Sequence, residues 1–312
     1  MTPYRAPWWL PGSHVQTIYP YLALRRAPLS YRRERVETPD GDFIDFDWLP
    51  GGAADAPTLI LLHGLEGSSG SHYATALLGT AARRGWRGVV PHWRGCSGEP
   101  NRLPRAYHSG DHAETAWILE TLRARIGAAP AYALGVSLGG SALLNLLGRG
   151  GGRSLSRAAA VSAPIDLPAA GDALDRGWNR LYARNFLKTL VPKAAAKGQC
   201  RRPIRTMREF DDLVTAPVHG FAGVDDYWSR ASSKPWLPSI ELPTLILNAR
   251  NDPFVPGDSL PGPGEVSAAV TLEQPRHGGH VGFSTGPFPG SLNWLSDRIF
   301  SFFDDRPTDG AR

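Results

Sequence analysis

One hexapeptide constrains this chain more than any other feature. Gly135-Val136-Ser137-Leu138-Gly139-Gly140 lies between an apolar run, 131–136, and a helix-like stretch, 138–147. A strand that turns directly into a helix leaves the turn residue in strained backbone geometry, with its side chain pushed above the sheet edge. Side chains two residues before and after the serine would collide across such a turn, and glycine stands at both places. The following helix points its positive end at the serine, favouring negative charge that develops there. The motif therefore predicts a nucleophilic serine, Ser137, and a fold able to carry it.

The rest of the chain supplies that fold. Apolar runs at 58–63, 86–92, 131–136, 158–162 and 243–248, with a weaker one at 268–272, read as strands. Helix-like stretches at 71–84, 111–125 and 138–147 alternate with them, and 292–303 closes the chain as an amphipathic helix. This alternation predicts an α/β protein with a mainly parallel central sheet and helices on both faces. Residues 31–38 and 43–49 flank Pro39-Asp40-Gly41 and read as an antiparallel hairpin. The interval 166–240 breaks the alternation, is rich in Arg and aromatic residues, and is expected to form a helical cap inserted within a single domain spanning 1–312.

A serine nucleophile needs a base, and the base needs an orienting acid. On this architecture they follow in the order Ser, acid, His. Asp252 directly follows the 243–248 strand, at the sheet edge where open α/β proteins place ligands. His280 follows the last strand on a glycine-rich loop, 277–283. Asp225 and Asp226 are rival acids, but they lie inside the cap; His277 is the rival base. The oxyanion needs two backbone N–H donors, expected from Leu138 and from Leu65 in the His63-Gly64-Leu65-Glu66-Gly67 loop. His63 itself reads as structural.

Other classes fit poorly. The chain has 34 Lys and Arg against 29 Asp and Glu, a net charge of +5, with the basic residues scattered rather than gathered into a stripe, so no nucleic-acid partner is expected. His108 and His112 are four apart, but Asp111 reads as a helix cap between them; no metal and no cofactor is expected. The two cysteines, Cys96 and Cys200, cannot staple a secreted scaffold, and 131–148 reads as strand, turn and helix rather than a membrane span. A cytoplasmic protein without stable membrane insertion is expected.

With these residues in hand, the chain resembles the α/β-hydrolase superfamily, and within it the YheT-like (AB hydrolase 4) family. The resemblance rests on Pro7-Trp8-Trp9-Leu10-Pro11-Gly12 with His14, Gln16 and Thr17, on the His63–Ser69 loop, and on His92-Trp93-Arg94-Gly95-Cys96-Ser97-Gly98-Glu99-Pro100-Asn101-Arg102. Tyr107-His108-Ser109-Gly110, the Ser137 turn, Asn251-Asp252-Pro253 and Gly278-Gly279-His280-Val281-Gly282-Phe283 complete it. It implies carboxylic-ester hydrolysis by Ser137, Asp252 and His280 on short- to medium-chain esters, acylglycerols or phospholipids. Transfer of the acyl group to an alcohol is the alternative, and a non-catalytic binding protein on the same fold is a second. The 94–110 stretch is expected to shape the site beside the oxyanion loop.

Overall fold

The apolar runs read as strands all enter one eight-stranded sheet. The computed structural model describes residues 2–24, 28–200 and 202–305; the expected 1–312 span extends beyond them at residue 1 and residues 306–312. The chain opens with α1 (Ser13–Ala23), an element no apolar period in the sequence announces. Antiparallel β1 (Arg32–Glu37) and β2 (Phe43–Leu49) follow, turned at Pro39-Asp40-Gly41 as expected, with the Gly41 N–H on the Thr38 carbonyl at 2.9 Å. Then come β3 (Thr58–Leu62), α2 (His72–Arg83), β4 (Arg87–Pro91), α3 (His112–Ile126), β5 (Ala131–Val136), α4 (Leu138–Gly148) and β6 (Arg157–Val161).

The expected break follows. Between β6 and β7 (Thr244–Leu247) the chain forms α5 (Leu167–Leu174) and α6 (Arg180–Ala196). Next, α7 (Met207–Phe210) runs through a π-turn at Asp211–Thr215 into α8 (Ala216–Val218), and α9 (Val224–Ala231) follows. β8 (Val270–Glu273) and α10 (Asn293–Asp304) complete the order. The sheet runs β1-β2-β4-β3-β5-β6-β7-β8, parallel from β4 to β8.

Two apolar layers hold the sheet. Ile60 and Leu62 of β3 face the layer that contains α3 and α4, whereas Leu59 and Leu61 face α2 and α10. This is the two-residue period of a strand buried on both sides. α4 is buried along its whole length, as its uninterrupted run of small and aliphatic residues requires. Truncating a fully buried side chain such as Leu61 to alanine would cost about 2–5 kcal/mol.

The topology also locates the site. From β3 the chain goes to β4 on one side, then crosses to β5 on the other. Ligands in open α/β sheets bind outside the carboxyl ends of strands at such a reversal. β3 ends at the His63-Gly64-Leu65 loop and β5 ends at Ser137.

Candidate active site

Ser137 has φ 53° and ψ −121°, a conformation that ordinary residues avoid. Its surroundings explain the glycines. A Cβ on Gly135 would lie 2.4 Å from the Gly139 carbonyl oxygen, and one on Gly139 would lie 2.3 Å from the Leu62 carbonyl oxygen. The Ser137 N–H is anchored on the Val161 carbonyl at 2.8 Å, so β6 holds the strained turn in place.

The structure brings Ser137, His280 and Asp252 together. His280 Nε2 lies 3.0 Å from Ser137 Oγ, and His280 Nδ1 lies 2.8 Å from Asp252 Oδ2. The Asp252 side chain is fully buried, and its Oδ1 accepts the N–H groups of Phe254 (2.8 Å) and Val255 (3.3 Å). Both oxygens are thus engaged, one fixing the loop and the other free to hold the imidazole in one orientation. The rivals lie elsewhere. Asp225 and Asp226 pair with Arg208 and Arg230 around α9, and His277 is exposed.

Sequence reasoning missed what holds His280 there. Thr17 Oγ1, on α1, accepts the His280 N–H at 2.9 Å. Gln16 Oε1 accepts from Gly278 N–H (2.9 Å) and from Asn251 Nδ2 (3.0 Å), joining the His280 loop to the Asp252 loop. Ser162 Oγ accepts the Val281 N–H at 3.0 Å. Gln16 and Thr17 belonged to the motif that carried the resemblance, yet nothing in their spacing tied them to a loop more than 260 residues away.

The oxyanion candidates also meet. Gly64 approaches so closely that a Cβ there would lie 3.1 Å from the Ser137 Cβ, placing the Leu65 loop against Ser137. Neither Leu65 N–H nor Leu138 N–H has a protein acceptor among the described residues. The next residue, Glu66, has φ 54° and is braced by Tyr107, whose hydroxyl accepts the Glu66 N–H and donates to Glu66 Oε1, both at 2.9 Å. Lys193 of α6 completes the group at 2.8 Å from Glu66 Oε2. Tyr107 belongs to the 94–110 stretch, which thus flanks the 63–69 loop. The same stretch is fixed by buried Arg94, bonded to Glu114 (2.7 Å) and Asp42 (3.1 Å), and by Asn101, bonded to Asp42 (2.6 Å).

Titratable neighbours are silenced by burial. Burial and the adjacent His92 push the His63 ring down to about 3; its Nδ1 meets the Gly64 carbonyl (2.8 Å) and its Nε2 accepts the Trp93 N–H (3.2 Å). That is the structural role its sequence position suggested. Burial pushes the Cys96 thiol up to about 12, so it offers no rival thiolate at neutral pH. One potential ion-binding group exists among the described residues: ligand atoms of His108, Asp111 and His219 lie within 4.8 Å of one another. Asp111 is already held by Arg105 (2.8 and 2.9 Å) and caps α3, while His108 Nδ1 accepts the Gly110 N–H. That leaves the ring proton of a neutral His108 on Nε2, the atom a metal would need bare.

Ser137 and His280 open into a cavity of about 710 Å³. Leu167, Leu174, Phe186, Leu190, Phe210 and Trp228, all from the helices between β6 and β7, make much of its wall apolar. Its other flank carries the Glu66–Lys193 pair and Lys197, which hydrogen-bonds to Asn101. A serine, an imidazole and a buried carboxylate in hydrogen-bonded series can move a proton off the hydroxyl as it attacks a carbonyl.

A strand-to-helix serine turn at the switch point of a mainly parallel sheet defines an α/β-hydrolase. The family profile described as "alpha/beta hydrolase fold" matches residues 57–287. "Putative esterase YheT" of Escherichia coli K12 is 41% identical over 300 residues, covering 92% of this chain and 88% of that one. "Phospholipase ABHD3" of Mus musculus is 31% identical over 314 residues, covering 95% and 76%. Among solved structures, the Pyrococcus furiosus esterase Pf2001 superposes with a TM-score of 0.59 at 17% identity, over 88% of this chain and 92% of that one, a likeness of fold. The chain belongs to the α/β-hydrolase family, in its YheT-like branch, and is a hydrolase. No helix among the described residues is long and apolar enough to cross a membrane.

Proposed function

We propose that this chain is a serine carboxylic-ester hydrolase that works through an acyl-enzyme on short- to medium-chain acyl esters or acylglycerol-type lipids. One observation carries the reading: Ser137 Oγ, His280 and Asp252 form a continuous hydrogen-bonded series, 3.0 and 2.8 Å, at an apolar cavity. Ser137 Oγ attacks the ester carbonyl carbon while His280 Nε2 takes its proton, and Asp252 stabilises the imidazolium through Nδ1. The carbonyl oxygen, now negative, receives the Leu65 and Leu138 N–H groups. As the tetrahedral intermediate collapses, the bond to the alcohol oxygen breaks and His280 returns the proton to that oxygen. Water then attacks the acyl-serine, gives a proton to His280, and the acid leaves as Ser137 regains its hydrogen. These steps need no cofactor.

In the same reading residues 166–240 are a cap within one domain, and their apolar wall receives the acyl chain. Small-molecule esters or lipids are the partners, and the two free thiols, Cys96 and Cys200, suit a cytoplasmic setting. The test is hydrolysis of p-nitrophenyl esters from acetate to palmitate by wild type and Ser137→Ala, with intact-mass detection of a fluorophosphonate adduct. The expected outcome is turnover and a single adduct in wild type, with turnover down by at least ~10³-fold and no adduct in the variant. Turnover surviving in Ser137→Ala, or neither turnover nor adduct in wild type, overturns the reading.

A further inference from the structure

α1 is amphipathic in the inverse sense. Its buried residues are Gln16, Thr17 and Pro20, while Val15, Ile18 and Leu22 face solvent, Leu22 with 63% of its surface exposed. A surface helix of a soluble protein normally turns its apolar stripe inward. The inward polar residues are explained by the loops they tie down, Gln16 on Gly278 and Thr17 on His280. The outward apolar residues, at spacings of three and four, join none of the buried apolar clusters of the described fold. Trp8, 91% exposed, precedes the helix. Phe288, 73% exposed, stacks edge-on against Trp9, whose ring also meets Tyr19 of α1.

The patch continues onto α6. His14 Nδ1 lies 3.1 Å from the Tyr182 hydroxyl and the two rings stack, so the helices meet beside exposed Val15 and exposed Leu181. Trp178, just before α6, is 76% exposed. Arg180, Arg184 and Lys188 recur every fourth residue along α6 and are all exposed. Among the described residues, none of the three has a carboxylate at ion-pairing distance, unlike Arg176, which pairs with Asp172 at 2.9 Å. Another face of α6, through Phe186, Leu190 and Lys193, lines the cavity that holds Ser137.

We propose that α1 and the N-terminal half of α6 dock the protein on an anionic phospholipid surface. Val15, Ile18, Leu22, Trp8 and Trp178 enter the boundary between head groups and acyl chains, and Arg180, Arg184 and Lys188 lie on the phosphates. Apolar side chains beside uncompensated cations fit such a surface, which supplies both an apolar layer and negative charge. Docking there sets one wall of the Ser137 cavity against the lipid. The inference concerns where the protein sits and stands whether or not the hydrolytic reading holds.

Flotation with vesicles tests it without reference to turnover. Wild type is mixed with phosphatidylcholine vesicles, with and without about 30% phosphatidylglycerol, at about 0.1 M and about 0.5 M NaCl. The proposal expects partitioning onto anionic vesicles at low salt, at least ~10-fold weaker on neutral vesicles and at high salt. The double variant Ile18→Asp/Leu22→Asp and the triple variant Arg180→Glu/Arg184→Glu/Lys188→Glu should each lose at least ~10-fold of that partitioning. Arg153→Glu, a surface change beyond α4, should lose none, and all variants should melt as wild type does. Three results overturn the proposal: no partitioning of wild type, partitioning that both variants retain, or a dimer in analytical ultracentrifugation that Leu22→Asp dissociates. The last would assign the face to a second copy of the chain.

Discussion

Thr17→Val tests whether α1 positions His280 for the proposed reaction. Valine keeps the shape of threonine and removes only the hydroxyl, which accepts the His280 N–H at 2.9 Å and donates to the Ser13 carbonyl at 2.8 Å. Thr17 is buried, so the His280 N–H loses its acceptor in a place water reaches poorly. Orphaning a buried donor costs about 1–3 kcal/mol. If that cost falls on placing His280 in the transition state, kcat/KM drops by about 5- to 150-fold, at ~1.4 kcal/mol per tenfold. The assay is saturation kinetics on a soluble short-chain p-nitrophenyl ester, with fluorophosphonate labelling rates and urea unfolding alongside. We expect kcat to fall about tenfold or more, KM to stay within about twofold, labelling to slow in proportion, and Thr17→Ser to restore all three. A variant that loses about 1–3 kcal/mol of stability yet keeps wild-type kcat would refute the argument, since Thr17 would then hold the fold and not the imidazole.

Three further outcomes follow from the geometry. Asp252→Asn keeps the side-chain oxygen that receives the Phe254 and Val255 N–H groups, but turns an acceptor toward His280 into a competing donor; kcat should fall about 10³–10⁴-fold with little loss of stability, read by kinetics and urea unfolding. Gly139→Ala puts a Cβ at 2.3 Å from the Leu62 carbonyl oxygen and 2.7 Å from that of His63, both backbone, and should cost about 1–3 kcal/mol or more in urea unfolding; a loss under about 1 kcal/mol contradicts the close approach. Asp211, in the π-turn, has its carboxyl pushed up to about 6 by burial, so the folded state holds its proton more tightly than the unfolded chain and wild type loses stability as pH rises from about 4 to about 6. Asp211→Asn keeps an acceptor for the Trp228 N–H and offers its NH2 group to the Thr215 hydroxyl, which can accept, without the charge. It should match wild type near pH 4 and exceed it by about 2 kcal/mol at pH 8; a difference that does not change with pH would contradict this.

What the sequence disclosed followed from how local each signal is. Thr58–Leu62 and Thr244–Leu247 are short apolar runs bounded by turns, and a strand buried on both faces looks like little else. The Ser137 turn was legible because its steric demand falls on residues two away in sequence, where glycine is written directly into the chain. Asp252 and His280 were reachable because the fold returns both strand ends to one edge of the sheet. α1 was not legible, because its polar residues point inward and its apolar residues outward, so periodicity gives the wrong face. Gln16 and Thr17 had a visible motif but no visible partner, since their hydrogen bonds span more than 260 residues. The chain between β6 and β7 was visible as an interruption only. Its π-turn is tied to α9 by Asp211, which accepts from Trp228 Nε1–H at 2.8 Å, a contact 17 residues away that no local period encodes.

The distribution of backbone strain ties the fold to the site. Among the described residues, five non-glycine positions have positive φ: Glu66, Ser137, Ser162, Val281 and Phe283. All five lie after the carboxyl ends of β3, β5, β6 and β8, and two of them, Glu66 and Ser137, line the cavity. Such conformations cost about 1–3 kcal/mol each, and for β-branched Val281 the penalty is not shared by any local hydrogen-bonding side chain. Three of them are held by hydrogen bonds: Glu66 by Tyr107, Ser137 by the Val161 carbonyl, and Val281 by Ser162 Oγ, with His280 beside it on Thr17. The strain is therefore sustained by residues from β6, the 94–110 stretch and α1, none of which supplies a reacting group. A site assembled this way can be loosened by changes that touch neither Ser137, Asp252 nor His280, which is why the inverted helix α1 belongs to the framework of the candidate site.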